Sequence, residues 1–322
     1  MKKVLVTHQL PEKGLKELKQ KCELTEPDGL KFSREEVKKM LPDYDALLAV
    51  GIKVDQEIID IGKNLGIISV YAVGYDSVDI AYAAKKGIPV TNTPDSVTGG
   101  TAELAFGLMI SLMRKIILCD RKLRNDNYQW GLMTDLGTVL YGKKLGIIGM
   151  GRIGQALARR ARAFEMDILY HNRNRVSPEV EEELSAEYCT REELLQRADV
   201  VSVNTPLNKE TYHLIGRKEL DMMNSSSFII NTARGPVIDE KTLIEKLKRK
   251  EIAGAGLDVF ENEPHIPDEL KEMEQTVITP HIGTQTRETR IQMAREASEN
   301  IIKYFAGEKV EKIVNGVQRG QK

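Results

Sequence analysis

Apolar, β-branched runs alternate with segments of helical apolar spacing along most of the chain. In the first part, the strand-like runs begin at Val4, Ala46, Ile67 and Ile88, with a weaker run near Leu24. Helical patterns fill the intervals and begin at about Lys13, Ser33, Asp55 and Val78. Ser33 with Glu36 has capping-box spacing, and Asp79 and Gly87 bracket the fourth helix. Strands separated by helices predict a parallel sheet with crossover helices.

The same alternation resumes in the second half of the chain. Its strand-like runs begin at Lys144, Asp167, Asp199, Ser227, Ile252 and Thr276, with a weaker run near Glu187. Helical patterns follow the first run and begin again at about Pro178, Thr190, Asp239 and Arg287. Because 322 residues exceed a typical single domain, the two series predict two α/β domains with parallel sheets. The helix from Arg287 comes after the second sheet is complete and could return to the first domain, which would then be discontinuous.

Between the two series, residues from Ser96 to about Trp130 predict one long helical region. Apolar residues lie nearly all round it, so we expect it to be buried against a large surface. One interpretation is a bridge packed between the two domains. The other adds a subunit interface along residues 98–125, which together with the second domain would form a homodimer.

The segment Lys144–Gly154 joins an apolar run to a glycine-rich turn and an amphipathic helix. Gly149, Gly151 and Gly154 have G-x-G-x-x-G spacing. The first glycine permits a tight turn, the second lets the backbone approach a pyrophosphate, and the third lets the helix pack on the strand. This context predicts a dinucleotide-binding site, with Arg152 and Ile153 beside the pyrophosphate at the helix start.

The residues at the end of the strand from Asp167, the second strand of the domain with the glycine-rich turn, favour NADPH over NADH. An Asp or Glu about twenty residues after the glycines would bind the ribose diol of NAD. The stretch here is His171, Asn172, Arg173, Asn174 and Arg175, which contains no acid. A guanidinium holds a 2′-phosphate well, so Arg173, with Asn172, Asn174 and Arg175 beside it, predicts NADP(H), while NAD(H) stays possible. The alternative is that these arginines form a solvated loop face.

Three polar residues in the second half follow predicted strands. Arg234, Glu263 and His281 come after the runs from Ser227, Ile252 and Thr276. In an open α/β sheet, ligands bind at the carboxyl ends of the strands, so we expect these side chains to converge. Arginine can hold a carboxylate in two hydrogen bonds, imidazole exchanges protons near neutrality, and a neighbouring carboxylate favours the imidazolium. Together they fit hydride transfer to a 2-keto acid.

Each of these residues has a less specific interpretation. Arg234 could merely cap the sheet, and His265 competes with His281 for the histidine role. Glu261 has the same type as Glu263 and lies two residues away, so the sequence pattern does not decide between them. His213 is expected to make a structural contact.

Composition narrows the function classes. Lys plus Arg number 47 and Asp plus Glu 48, which gives no positive excess for binding nucleic acid. The three cysteines, Cys22, Cys119 and Cys189, lie far apart, which argues against a disulfide framework or a zinc site. The apolar run at the N-terminus is too short for a signal peptide, and Thr101–Met113 is too short to span a bilayer. We therefore expect a cytoplasmic protein without a membrane segment or metal.

Several motifs together resemble the D-isomer-specific 2-hydroxyacid dehydrogenase family. They are GIIGMGRIG from Gly146, NTPDSVTGGTAEL from Asn92, NTARGPVIDE from Asn231, GAGLDVFENEP from Gly254 and TPHIG from Thr279. The resemblance covers nearly the whole chain, and AVGYDSVDI from Ala72 with the Trp130 region is most similar to the glyoxylate/hydroxypyruvate reductase branch. GTQT from Gly283 replaces the more usual GSAT beside His281.

The resemblance implies both a fold and a set of site residues. It implies a flavodoxin-like substrate domain, residues 1–98 and 286–322, around an inserted Rossmann domain, residues 99–285. Arg234, Glu263 and His281 match the family's catalytic residues, and backbone at Val73 and Gly74 would bind the substrate carboxylate. Trp130 either anchors the long helix or reaches the partner subunit's substrate pocket. Besides the glycine turn and residues 172–174, the implied cofactor-binding set is Thr101, Thr205, Pro206, Thr232, Ala233, Asp258, His281 and Gly283.

The leading hypothesis is an NADPH-dependent reductase of glyoxylate or hydroxypyruvate that forms the D-2-hydroxy acid. Within the family, 2-ketogluconate reductase, phosphoglycerate dehydrogenase and D-lactate dehydrogenase activities remain alternatives. From another class, a corepressor-like protein that senses NAD(P)H without catalysis is also compatible with the fold. The short termini and the lack of a basic arm count against that alternative.

Overall fold

The chain divides into two compact units in the computed structural model, which describes residues 1–318. One unit comprises Met1–Val97 with Thr284–Lys322, and the other comprises Thr98–Gly283. Each has its own parallel sheet, which confirms the expected α/β class. Residues 319–322, at the end of the segment expected to span 286–322, lie outside the described residues.

Strands and helices alternate through both units. The strands are β1 (Lys2–Val6), β2 (Cys22–Thr25), β3 (Ala46–Ala49), β4 (Ile67–Val70), β5 (Val90–Thr91), β6 (Lys144–Ile148), β7 (Asp167–His171), β8 (Ala186–Tyr188), β9 (Val200–Val203), β10 (Phe228–Asn231), β11 (Gly254–Leu257) and β12 (Thr276–Ile278). The helices are α1 (Glu12–Lys21), α2 (Arg34–Met40), α3 (Gln56–Ile61), α4 (Ile80–Lys85), α5 (Thr98–Met113), α6 (Ile116–Arg124), α7 (Arg152–Ala163), α8 (Pro178–Leu184), α9 (Arg191–Arg197), α10 (Arg217–Asp221), α11 (Glu240–Lys248), α12 (Asp268–Glu272) and α13 (Arg287–Ala306). Short 3₁₀ turns occur at Leu41–Asp43 and Gly235–Val237.

The first unit is a five-stranded sheet in the order β2-β1-β3-β4-β5, with every neighbouring pair parallel. Ser33 forms the predicted capping box with Glu36 at the start of α2. The last helix, α13, packs on α1 so closely that a Cβ on Gly14 would lie 2.4 Å from the Cβ of Ala294. The Ser298 hydroxyl donates to the Gly14 carbonyl at 3.2 Å. The C-terminal helix therefore belongs to the unit that the N-terminal strands build.

The second unit is a seven-stranded parallel sheet in the order β12-β11-β10-β9-β6-β7-β8. β9, β10 and β11 are buried along their whole length, because separate apolar clusters cover the two faces of the sheet. The chain order reverses between β6 and β9. Such a switch point opens a crevice at the carboxyl ends of the strands, which is where ligands bind in this fold class.

The single long helix expected from Ser96 to about Trp130 is wrong. The region forms α5 and α6, separated at Lys115, which has a left-handed φ of +53°. The amide of Thr138 donates to the carbonyl of Met113 at 2.7 Å. This bond supplies a partner for one of the carbonyl groups that the end of α5 leaves without a hydrogen bond inside the helix. No residue of α6 is buried, whereas α5 packs against the sheet. Within residues 1–318, no helix is long and apolar enough to cross a membrane.

Candidate active site

The glycine-rich turn connects β6 to the start of α7. Gly149 has a φ of +101°, and a Cβ there would lie 2.8 Å from the Asn204 carbonyl group. A Cβ on Gly154 would lie 2.3 Å from the carbonyl oxygen of Gly149, so helix and strand touch at this position. A Cβ on Gly151 would meet nothing within 4 Å. The open side of the turn at Gly151, together with the amides that begin α7, is a setting in which a pyrophosphate can be bound.

Buried polar atoms follow β9 and β10, which lie side by side on one side of β6 in the sheet. Asn204 Oδ1, Thr205 Oγ1 and Thr232 Oγ1 have no hydrogen-bond partner among the described residues. Buried polar atoms in native proteins are nearly always hydrogen-bonded, so these three fit the hydroxyl and amide groups of a bound dinucleotide. The residues present therefore fit a nicotinamide cofactor. Thr205 and Thr232 belong to the cofactor set expected from the sequence, and Asn204 does not.

Asn172 holds the glycine turn from the end of β7. Its Oδ1 accepts a hydrogen bond from the amide of Met150 at 2.6 Å, and the amide of Gly149 donates to the His171 carbonyl at 3.0 Å. Asn172 thus orders the turn that we expect to bind the pyrophosphate. The side chain of Asn174 is exposed.

Arg173 and Arg175 differ in their partners. Arg175 makes two hydrogen bonds to Glu181, at 2.6 and 2.7 Å, and its guanidinium lies over the ring of Tyr188. Glu181 also accepts from the Tyr170 hydroxyl, and these bonds lower the pKa of Glu181 to about 2. Burial and the bond to Glu181 raise the pKa of Tyr170 to about 12. Arg175 is therefore held in a structural ion pair, whereas Arg173 is 80% exposed and contacts Glu210 at 2.8 Å.

Glu263 and His281 form a direct pair. Nδ1 of His281 lies 2.8 Å from Oε2 of Glu263, whose Oε1 accepts from the amide of Phe260 at 3.0 Å. Burial opposes ionisation of Glu263, but these two bonds and the charges of His281 and Arg234 outweigh it and lower its pKa. A carboxylate on Nδ1 fixes the imidazole so that Nε2 faces away from the pair. This arrangement leaves Nε2 as the atom that can exchange a proton with a ligand.

Asp258, at the end of β11, organises the turn that carries His281. Its buried carboxylate accepts hydrogen bonds from Thr279 Oγ1 at 2.6 Å, the amide of Ile282 at 2.7 Å and the amide of Gly283 at 2.9 Å. Burial raises the pKa of Asp258 even though these donors act in the opposite direction. The amide of His281 donates to the Asp258 carbonyl at 2.8 Å, and His281 has a φ of +54°. A left-handed histidine is uncommon, and the surrounding bonds hold it in this conformation.

Arg234 follows β10 and lies at the same edge of the sheet. Its Nη1 donates to the Ala233 carbonyl at 2.8 Å, and Asn231 Nδ2 donates to the Arg234 carbonyl at 3.0 Å. The next residue, Gly235, packs directly on the backbone of Phe260, where a Cβ would lie 1.9 Å from the carbonyl carbon. The turn bearing Arg234 and the turn bearing Glu263 therefore meet backbone to backbone.

The geometry distinguishes the residues that the sequence pattern left open. Glu261 accepts from His213 Nε2 at 2.9 Å, so it pairs with a different histidine from Glu263. His213 makes the structural contact expected of it, and His265 is exposed. Sequence reasoning missed Glu240, whose buried Oε2 accepts from the amide of Glu261 at 3.2 Å and whose pKa is raised by burial. In the sequence, Glu240 is simply an acidic residue at the start of a helix, which is common, so nothing there predicts its contact with Glu261.

Four further residues expected at the site lie outside the turns that follow β6, β10 and β11. Val73 and Gly74 follow β4 in the first unit, where the Val73 carbonyl accepts from Asn92 Nδ2 at 2.8 Å. Thr101, in α5, donates from its hydroxyl to the Gly283 carbonyl at 3.4 Å. Trp130 is 85% exposed and makes an edge contact with Tyr128, so the alternative in which it anchors the long helix is wrong, and the alternative in which it reaches a partner subunit's pocket stays a prediction. Its helix ends at Arg124, before the tryptophan is reached.

Comparison with known proteins identifies the family. Residues 106–283 match the model described as "D-isomer specific 2-hydroxyacid dehydrogenase, NAD binding domain". A glyoxylate reductase from Thermococcus litoralis is 45% identical, over 97% of this chain and 96% of that protein. The structure of an NADPH-dependent glyoxylate/hydroxypyruvate reductase from Sinorhizobium meliloti, in complex with NADP and malonate, matches at 29% identity. Its TM-score is 0.88, and the match covers 100% of this chain and 99% of that one.

A related structure contains the other nicotinamide cofactor. The D-lactate dehydrogenase from Aquifex aeolicus, complexed with NAD and lactic acid, matches at 26% identity with a TM-score of 0.87, over 98% of this chain and 100% of that one. The motifs, the parallel sheets and these similarities agree. This chain belongs to the D-isomer-specific 2-hydroxyacid dehydrogenase family, oxidoreductases that act on a CH–OH group with a nicotinamide cofactor.

Proposed function

We propose that the chain reduces a short 2-keto acid, glyoxylate or hydroxypyruvate, to the D-2-hydroxy acid with NADPH. The observation that carries the proposal is the pair between His281 Nδ1 and Glu263 Oε2, which lie 2.8 Å apart. The pair belongs to the same unit as the glycine turn, and the charge of Arg234 helps to lower the pKa of Glu263. The similarity to glyoxylate reductases supports the substrate class.

The proposed roles follow from the side-chain chemistry. The guanidinium of Arg234 binds the keto acid and polarises its carbonyl. A reduced nicotinamide would supply the hydride for C2 and would itself be oxidised to NADP⁺. Nε2 of His281 would donate its proton to the carbonyl oxygen, so that hydride and proton together convert C=O to CH–OH. The Glu263 carboxylate stabilises the imidazolium before this transfer. Contact of the substrate carboxylate with backbone at Val73 and Gly74 stays a prediction.

The catalytic roles can be tested with two histidine variants. His281→Gln should lower kcat with glyoxylate by about 10² to 10⁴, the usual contribution of a general acid. His265→Gln is the matched control, because that histidine is exposed, and it should keep wild-type rates. Rates near wild type for His281→Gln with every keto acid tested would contradict the proposal, provided circular dichroism shows both variants folded.

The proposed preference for NADPH depends on Arg173. Its exposed guanidinium would bind the 2′-phosphate, so Arg173→Ala should weaken NADPH binding by about 1.5–3 kcal/mol and leave NADH nearly unchanged. Arg175→Ala is the control, because Arg175 is engaged by Glu181 and should not discriminate between the cofactors. Fluorescence titration gives both dissociation constants. An equal loss for both cofactors in Arg173→Ala would contradict the assignment.

We also propose that the chain forms a homodimer through α6 and the loop that follows it. Large apolar side chains are exposed along this region, among them Ile116, Ile117, Leu123, Leu132 and Met133. Exposed apolar side chains concentrated in one segment favour a protein interface, and a second copy of the chain would cover them. Leu132→Asp should therefore shift the protein toward monomer in sedimentation equilibrium. A dimer that persists unchanged in this variant would count against the proposed surface.

A further inference from the structure

The exposed partner of Arg173 is an acidic residue from another part of the second unit. Oε2 of Glu210 lies 2.8 Å from Nη1 of Arg173, and the two side chains are 72% and 80% exposed. We propose that Glu210 reduces the preference for NADPH over NADH, because its carboxylate competes with the 2′-phosphate of NADPH for the Arg173 guanidinium. This inference rests on the proposed role of Arg173.

Glu210 is presented by an ordered turn. Oδ1 of Asn208 accepts hydrogen bonds from the amides of Glu210 at 2.8 Å and Thr211 at 3.0 Å. The Thr211 hydroxyl donates to the Pro206 carbonyl at 2.6 Å. These bonds close an Asx turn and fix the backbone from which the glutamate side chain extends. The carboxylate is therefore kept within reach of Arg173 even when the ion pair opens.

The competition depends on charge. A phosphate monoester carries a charge of about −1.5 to −2 at neutral pH, so it is attracted by Arg173 and repelled by Glu210. NADH has a neutral hydroxyl at the same position, and Glu210 does not repel it. Glu210 should therefore weaken the preference for NADPH without weakening NADH binding.

The exposure of the pair sets the size of the effect. Exposed ion pairs contribute about 0.2–1 kcal/mol, which corresponds to about a 1.5- to 5-fold change in a binding constant. Removing the negative charge of Glu210 should accordingly tighten NADPH binding by about 1.5- to 5-fold. Salt screens exposed charges, so the effect should shrink as ionic strength rises.

The test compares dissociation constants for NADPH and NADH, measured by nicotinamide fluorescence on the intact protein without substrate. The variants are Glu210→Gln, Arg173→Ala and the double variant. Glu187→Gln is the matched control, because Glu187 forms a similar exposed pair with Arg197 at 2.7 Å. We expect Glu210→Gln to tighten NADPH alone. The gain should be smaller when Arg173 is already alanine, because only the direct repulsion between Glu210 and the phosphate is then removed. Glu187→Gln should change neither constant.

Two outcomes separate this inference from the proposed function. If Arg173→Ala weakens NADPH selectively but Glu210→Gln leaves NADPH binding unchanged, only the role of Glu210 is wrong. If Arg173→Ala has no selective effect, the cofactor assignment itself is wrong, and the inference is overturned with it. An equal change of both cofactors in Glu210→Gln would show that the residue acts on the turn rather than on the phosphate, which also overturns the inference.

Discussion

The contact between Gly235 and Phe260 predicts how sensitive the proposed active site is to a single methyl group. A Cβ on Gly235 would lie 1.9 Å from the carbonyl carbon of Phe260 and 2.5 Å from the amide nitrogen of Glu261. Ordinary contact begins near 3.4 Å, so in Gly235→Ala one of the two turns must move by about 1.5 Å. The atoms involved belong to the backbone, so a change of rotamer does not relieve the clash. Arg234 and Glu263 flank this contact and would be pushed apart.

Two measurable losses should follow in Gly235→Ala. A displacement of about 1 Å in a catalytic group can reduce the rate by about 100-fold, so we expect kcat to fall by about that factor. Overpacking should also lower the free energy of unfolding by about 1–3 kcal/mol. Steady-state kinetics with glyoxylate and urea unfolding measure the two effects separately.

Gly107→Ala is the control for this prediction. Gly107 lies in α5, and a Cβ there would meet nothing within 4 Å. Alanine in a helix is favoured over glycine by about 0.5–1 kcal/mol, so this variant should be slightly more stable and fully active. The reasoning would be refuted if Gly235→Ala kept both wild-type kcat and wild-type stability. Lower stability with an unchanged kcat would refute the link between the turn contact and catalysis.

Two further substitutions test other parts of the site. In Glu263→Gln the Nδ1 atom of His281 loses its carboxylate partner, so the imidazole is less firmly oriented and kcat with glyoxylate should fall; an unchanged kcat would contradict the role of the pair. Because the pKa of Glu263 is lowered in the folded state, its ionisation adds to the free energy of unfolding above the ordinary carboxyl pKa. This contribution is lost as pH falls through the lowered pKa. In Glu263→Gln the free energy of unfolding should therefore depend less steeply on pH in the acid range. In Gly154→Ala the new Cβ would lie 2.3 Å from the Gly149 carbonyl oxygen, so NADPH and NADH should both bind more weakly, unlike the selective loss in Arg173→Ala. Unchanged dissociation constants would argue against a cofactor site at this turn.

The fold was largely predictable because parallel strands buried on both faces appear as unbroken apolar runs. The run from Ser227 contains β10, and the run from Ile252 contains β11. The two helices that the pattern missed, α10 and α12, have only five residues each, which is too short for an apolar period to show. The break at Lys115 was also hidden, because neither glycine nor proline marks it and a distant amide, that of Thr138, completes the end of α5.

The general position of the site was predictable, but its pairings were not. Topology alone placed polar residues at the carboxyl ends of strands. It did not choose between Glu261 and Glu263, because both stand in one turn after β11. The choice depends on the turn itself: Glu263 folds back to accept from the amide of Phe260 and faces His281, whereas Glu261 faces His213. Such contacts depend on backbone geometry that no spacing of residue types encodes.

The same limit applies to the two arginines after β7, and it determines which of them a ligand can recruit. The sequence favours Arg173 for binding a phosphate, with Arg175 two residues further on as a second guanidinium. Arg175 pairs with Glu181, whose side chain is 14% exposed, so drawing the guanidinium away would leave a largely buried carboxylate without its cation. The pair of Arg173 with Glu210 is exposed on both sides, so water can replace either partner at little cost. A phosphate can therefore recruit Arg173 far more readily than Arg175, and the acid that must be displaced is Glu210.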